Sequence, residues 1–328
     1  MKLLILGGTQ FLGRHLVEQA LSGGHEVTLF NRGQTAPDLF DVKTLIGNRD
    51  GDLGALETWD GDAVIDTSGY VPRVVRESVS RLKSRASHYT FVSSISVYDD
   101  FTRSEMTEDS SRARPKDPKA ENVTEDYGGL KAACEDVVME EFGVRALVVR
   151  PGLLVGPYDP TDRFTYWVRR WTQRRPVLVP GHPDARIQWI DVRDVARWIL
   201  TQVVARVTGI YNLTGIPGTM GGLMGVLETE TGGGPALWVR EDFLLDRGVR
   251  EWSDLPLWIA VQTNWPGFMG VNIDRALARG LTLRPWADTV CDTLEWDRVR
   301  GTPPLKSGLT DARERELLAA WNSQKHTN

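Results

Sequence analysis

Cysteine is nearly absent: Cys134 and Cys291 are the only two in 328 residues. Two are too few for a disulfide framework, and neither has a second Cys or a His at metal-ligand spacing. The five histidines are scattered, so no metal site is expected. Positive charge is not in excess either. The 39 basic residues stand against 44 acidic ones, a net charge of −5, which supplies no general attraction to nucleic acid or to an anionic membrane. No apolar run reaches the ~18 residues that a membrane span requires. The opening stretch Met1-Lys-Leu-Leu-Ile-Leu-Gly-Gly is too short for the apolar region of a secretory signal. It reads as a strand, and the chain as cytoplasmic. What is present is an ordinary globular composition, 41% hydrophobic and 25% charged, in a chain long enough for about two domains.

Short β-branched and leucine-rich runs at 2–6, 26–30, 43–46, 62–66, 88–93 and 145–150 alternate with helical patterns, among them 11–22, closed by Gly23-Gly24, and 72–84, opened by Pro72. The alternation predicts βαβ units and an α/β fold with a doubly wound, Rossmann-type parallel sheet, its ligand crevice at the carboxyl ends of the strands. We read 1–155 as a dinucleotide-binding domain and 156–328 mainly as a smaller mixed α/β substrate lobe, with 185–215 returning to the first core. The polar stretch 99–124, containing Pro115 and Pro118, has no period; it is either a lid over the crevice or a mobile surface insertion. Eleven of the twelve tryptophans follow residue 160. Helices are expected at 286–299 and 311–322, and His182 and the Arg169-Arg170 pair are expected on the surface.

The first strand runs into Gly7-Gly8-Thr9-Gln10-Phe11-Leu12-Gly13 just before a helix. Small residues there let the backbone approach a pyrophosphate, whose charge sits at the positive end of the helix. Gln10 replaces the middle glycine of the usual spacing, and its amide offers an additional donor. The second strand ends Asn31-Arg32. A carboxylate at this point would accept from an adenosine ribose diol, whereas a guanidinium suits a 2′-phosphate. The expected cofactor is therefore NADP, with NAD as the alternative.

Tyr127 and Lys131 lie four apart near the start of a helix for which Thr124 is the expected cap, which puts phenol and ammonium on one face. A lysine charge would lower the tyrosine pKa toward neutrality and permit proton exchange with an alcohol or carbonyl. The fifth strand ends in the hydroxyls Ser93, Ser94 and Ser96, at the edge where a crevice ligand would sit and where a hydroxyl can hold a developing oxyanion.

On these residues, with Arg150-Pro-Gly-Leu-Leu-Val-Gly-Pro157, Trp189-Ile-Asp-Val-Arg-Asp194 and Tyr211-Asn-Leu-Thr-Gly215, the chain resembles the extended short-chain dehydrogenase/reductases over at least 1–215. That group includes NAD-dependent epimerases and dehydratases. The resemblance implies that Tyr127 is the general acid/base, that Lys131 also holds the nicotinamide ribose, and that Ser94 orients the substrate oxygen. It further implies that Thr67, Ser68 and Gly69 pass beneath the cofactor, that Asn48 and Arg49 lie near the adenine, and that Pro151 contacts the cofactor. Relatives often pair as homodimers through the two helices beside the site.

The function expected is an NADP(H)-dependent oxidoreductase acting on a small carbonyl or alcohol. The alternatives are a nucleotide-sugar epimerase or dehydratase using bound NAD(P), and a non-catalytic NADP- or RNA-binding relative. Ser96, Leu153, Trp167 and Arg186 are the substrate candidates, Trp167 because an indole offers broad apolar contact with one polar handle. The nucleotide-sugar relatives place an Asn where this chain has Leu153, and an Arg where it has Ile187, with Arg186 shifted by one. One residue on a strand turns a side chain to the opposite face.

Overall fold

The computed structural model describes residues 1–117 and 119–325, so Pro118 lies outside the described residues. Strand β1 (Lys2–Leu6) buries Leu3, Leu4, Ile5 and Leu6 completely, as a central parallel strand covered on both faces must. Then follow α1 (Phe11–Ser22), β2 (Glu26–Asn31), β3 (Lys43–Ile46), β4 (Gly61–Asp66), α2 (Pro72–Leu82), β5 (Ala86–Val92), α3 (Tyr127–Phe142) and β6 (Ala146–Pro151). The chain continues through β7 (Leu153–Val155), α4 (Arg163–Trp171), β8 (Val177–Pro180), β9 (Arg186–Ile187), β10 (Trp189–Asp191), α5 (Val192–Val204) and β11 (Gly209–Leu213). Strand β11 pairs in parallel with β6 and completes a seven-stranded sheet in the order β11-β6-β5-β4-β1-β2-β3.

Alternate side chains of each strand point to opposite faces, and both faces are covered. Leu3 and Ile5 pack with Leu16 and Val17 of α1 and with Val195 and Ile199 of α5. Leu4 and Leu6 pack with Val75 and Val79 of α2 and with Val137 and Val138 of α3. The strand order grows from β1 through β2 to β3 and then restarts with β4 on the other side of β1. That reversal opens a crevice beyond the carboxyl ends of β1 and β4.

The rest of the chain adds β12 (Gly218–Thr219), α6 (Met220–Thr231), β13 (Ala236–Val239), α7 (Glu241–Leu245), α8 (Asp274–Ala278), α9 (Trp286–Val299) and α10 (Asp311–Lys325). Much of it surrounds a second apolar core built on Trp167, Trp171 and Trp258. The Arg169-Arg170 pair is not a surface feature. Helix α4 docks between α9 and α10, so Arg169 forms a bidentate pair with Asp297 at 2.6 and 2.7 Å, and the buried Arg170 meets Glu314 at 2.5 Å. His182 is exposed. Among the described residues, no helix is long and apolar enough to cross a membrane.

A buried polar network ties the sheet to the 99–124 segment. Arg150 on β6 donates to both carboxylate oxygens of Glu135 on α3 at 2.9 and 2.7 Å, and to the Tyr98 hydroxyl and the Glu108 carbonyl, each at 3.1 Å. Tyr98 donates to Asn212 Oδ1 of β11 at 2.6 Å, and the Asn212 amide donates to the Glu108 carboxylate at 2.8 Å. Backbone bonds add Ala113 to Val97 at 2.7 Å on one side, and Glu105 to Gly270 and Asn272 to Met106, each at 2.9 Å, on the other. The segment is therefore a strap fastened to both halves of the molecule, neither a lid nor a loose insertion. Its described residues line neither of the two crevices of the site.

Removing one member of a fully buried ion pair leaves the other charge uncompensated, at a cost of about 3–5 kcal/mol. Glu135→Leu is expected to lose stability in that range in urea unfolding, and the double variant with Arg150→Met to recover part of it, because two apolar groups replace the pair.

Candidate active site

The crevice at the strand reversal has a volume of about 600 Å³. Its floor is the glycine turn. Gly7 has φ +107°, and a Cβ there would stand 2.6 Å from Thr67 Oγ1; a Cβ on Gly13 would stand 2.8 Å from the Gly8 nitrogen. Only a bare backbone packs this closely. Gln10 is exposed at the N-cap of α1, and its side chain makes no capping bond.

Gly7, Thr9, Gln10, Phe11, Leu12, Gly13, Asn31, Arg32, Asn48, Arg49, Thr67, Ser68 and Pro151 all line this crevice, with Ser94, Tyr127 and Lys131. Gly69 does not. Its carbonyl accepts from Lys131 Nζ at 2.7 Å instead. Asn31 is turned inward: its Oδ1 accepts from the Gly33 amide at 2.8 Å and its Nδ2 donates to the Gly7 carbonyl at 3.4 Å. Arg32 is exposed and has no hydrogen-bond or ion-pair partner among the described residues.

Arg49 is not available to an adenine. Its guanidinium donates to both oxygens of the buried Asp66 at 2.6 and 2.8 Å, and to Ser68 Oγ and Ser78 Oγ at 3.2 and 2.8 Å. Tyr89 and the Ser68 amide also donate to Asp66, at 2.8 and 3.0 Å. Burial alone would raise the Asp66 pKa, but the Arg49 guanidinium and these donors outweigh it and hold the carboxyl below its ordinary range. The cluster locks the end of β4 under the crevice.

Ser94 and Tyr127 come together because two backbones nearly touch. A Cβ on Gly128 would lie 2.2 Å from the Ser96 carbonyl oxygen, so only glycine lets the first turn of α3 seat against the end of β5. The cap of α3 is Asp126 rather than Thr124: its carboxylate accepts from the Gly129 amide at 3.3 Å and from the Lys116 amide at 2.8 Å. Ser94 lies close enough to act on the Tyr127 phenol, and it meets Ser96, whose amide and hydroxyl both lie 3.1 Å from Ser94 Oγ.

Lys131 does not lower the Tyr127 pKa. Its buried ammonium donates to the Gly69 and Val92 carbonyls at 2.7 and 2.6 Å, and burial lowers its pKa to about 8. Burial, and after it the neighbouring Tyr70, push the Tyr127 phenol up to about 12, with the Ser94 hydroxyl acting in the opposite sense. Tyr127 is thus held protonated at neutral pH, suited to donating a proton. Acting as a base requires a further positive charge close to the phenol.

A second crevice of about 410 Å³ adjoins the first, and Phe11, Ser94, Tyr127, Gly152, Leu154 and Pro160 line both. Ser96 and Leu153 line it as well. Trp167 and Arg186 line neither. Trp167 is fully buried, its indole donating to the Pro256 carbonyl at 2.8 Å, because Phe164, Trp167, Val168 and Trp171 form the core face of α4. Arg186 sits exposed on β9, while the adjacent Ile187 takes the buried side.

Ile95, Asp159, Thr161, Arg163, Trp252 and Phe268 supply the rest of the second crevice. The helical spacing of the aromatics from 164 to 171 could have marked Trp167 as core and directed attention to the residues just before the helix. Phe268 lies about 100 residues further on, and no local pattern points to it.

Asp66 makes stability pH-dependent. A carboxylate with a lowered folded pKa contributes fully above the ordinary aspartate value of 3.8, and the contribution is lost as pH falls through the lower folded value. Urea unfolding between pH 7 and 3 is expected to show that loss, and Asp66→Asn to be less stable at pH 7 with a shallower decline below pH 4.

Comparison with known proteins bears on the fold. The model of the NAD dependent epimerase/dehydratase family matches residues 60–214. A curated protein, the chloroplast stem-loop binding protein of 41 kDa b of Arabidopsis thaliana, is 27% identical over 214 residues, 60% of this chain and 53% of its own. The match thus spans about half the length of that relative. Among solved structures, the UDP-glucuronic acid 4-epimerase of Bacillus cereus in complex with NAD superposes with a TM-score of 0.66 at 15% identity, covering 92% of this chain and 99% of that one. The Bordetella bronchiseptica enzyme WbmH in complex with NAD+ gives 0.66 at 16% identity, with the same coverages. These identities speak for a shared fold. The segment 60–214, just under half of the chain, is thus similar to the NAD dependent epimerase/dehydratase family.

Proposed function

We propose that this chain is a nicotinamide-dependent enzyme that interconverts a secondary alcohol and a carbonyl in a small substrate. One observation carries the reading: Ser94 and Tyr127 stand where the two crevices meet, so the hydroxyl pair faces a cofactor-sized space on one side and a substrate-sized space on the other. The crevice fits a dinucleotide by its bare glycine floor and by the start of α1 opening onto it. When bound there, the nicotinamide would supply a hydride acceptor or donor. Tyr127 moves the proton at the substrate oxygen, Ser94 fixes that oxygen, and Lys131 offers a buried ammonium to the ribose while bracing the Gly69 and Val92 carbonyls.

The unpaired guanidinium of Arg32, and the absence of a carboxylate at Asn31, favour NADP over NAD. The family match and the epimerase structures support an outcome without net redox change, an epimerisation or dehydration, over a simple reductase. A diphosphate-linked sugar is disfavoured because Arg186 lines neither crevice. The second reading, RNA binding, is supported by the name of the chloroplast relative; the net charge of −5 argues against it.

Purified protein incubated with NADP+ or NAD+ and assayed by absorbance at the reduced-nicotinamide band tests the reading, and RNase-sensitive copurification of nucleic acid would favour the second. Tyr127→Phe is expected to retain cofactor affinity and lose about 10² to 10⁴ in turnover, and Lys131→Met to weaken cofactor binding as well. In calorimetric titration, Arg32→Ala is expected to lose about ten- to a hundredfold in NADP affinity and little in NAD affinity, since a charge-assisted contact is worth about 1.5–3 kcal/mol.

A further inference from the structure

The second crevice contains two polar groups that the hydride chemistry does not use. Asp159 is 2% exposed. One of its carboxylate oxygens accepts from the Thr161 amide and hydroxyl at 2.8 and 2.7 Å, while the other is buried and has no partner. A buried acceptor left unmatched is costly, and this one belongs to a residue that lines the crevice. Arg163, four residues further on at the start of α4, lies with its guanidinium 5.7 Å from the Trp252 ring centroid and has no carboxylate within ion-pair distance among the described residues.

The neighbouring arginines differ. Arg169 pairs with Asp297, Arg170 with Glu314, and Arg300 takes Asp162, the acid adjacent to Arg163 in sequence. The packing of α4 therefore leaves a single arginine unmatched, and that arginine faces the substrate space. Beside Arg163, Trp252 and Phe268 meet edge to face at 5.3 Å, which gives an apolar wall suited to the C–H face of a small ring.

Resting on the reading that Tyr127 works on an alcohol or carbonyl carbon, we propose that the substrate is a hydroxylated monocarboxylic acid of monosaccharide size: Arg163 holds its carboxylate, and Asp159 accepts from a hydroxyl other than the reacting one. A planar guanidinium matches a carboxylate with two parallel donors. A phosphate dianion is a poorer match, because one cation faces it and the carboxyl of Asp159 lies close by. The crevice of about 410 Å³ accommodates a monosaccharide acid without a nucleotide.

The test is calorimetric titration of the protein saturated with NADP+, using D-glucuronate and D-gluconate, with glucose, glucose 6-phosphate and UDP-glucuronate as comparators. At least one free acid is expected to bind ten- to a hundredfold more tightly than glucose. Arg163→Met is expected to abolish that preference while leaving NADP+ affinity unchanged. Arg163→Lys should retain part of it, and Asp159→Asn should weaken the acid by a similar factor, with melting temperatures reporting that each variant is folded. Acids that bind no better than glucose overturn the proposal, as does tighter binding of glucose 6-phosphate or UDP-glucuronate, or an acid preference that survives Arg163→Met. An acid that binds through Arg163 but is never altered in the presence of NADP+ or NAD+ leaves this site standing and removes the hydride chemistry, whereas nicotinamide-linked turnover of glucose alone does the reverse.

Discussion

The buried pair of Arg150 and Glu135 holds together the parts of the molecule that the site needs in register. The guanidinium comes from β6, the carboxylate from α3, and the remaining donors of Arg150 reach Tyr98 after β5 and Glu108 in the strap. These elements converge below Ser94 and Tyr127. A charge pair so placed gains little net stability over apolar groups of the same shape, but it tolerates few alternative packings, because every donor it exposes must find an acceptor. Asn212 extends the same logic to β11, the strand through which the second half of the chain returns to the sheet.

Above this layer the site follows from two requirements. The parallel sheet must reverse its order beside β1, which creates the larger crevice, and α3 must begin against the end of β5, which Gly128 alone permits. The smaller crevice arises where α4 and the segments around Trp252 and Phe268 meet the loop after β6. The two crevices thus draw largely on different parts of the chain, and Ser94 and Tyr127 are the hydroxyl-bearing side chains that line both.

The electrostatics of the pair at positions 127 and 131 show how far spacing can mislead. Four residues on a helix put a phenol and an ammonium on one face, yet the ammonium is drawn to two backbone carbonyls, and the phenol is governed by its own burial. The Tyr127 pKa rises rather than falls. A working base at this position depends on what else is bound beside it.

The sheet, its glycine floor and part of the larger crevice were legible in the sequence, because they depend on local rules: apolar runs of strand length, small residues at a strand-to-helix turn, hydroxyls at a strand end. Such signals lie within a few residues of the atoms they position. Tertiary structure alone decided the rest. It sent Arg49 to Asp66, placed Trp167 in the core, turned Arg186 to solvent and fastened 99–124 as a strap. It also left Arg163 without a carboxylate while its neighbours found theirs. Each of these outcomes depends on which distant groups compete for the same partner, and a linear pattern carries no record of a competition settled between residues a hundred positions apart.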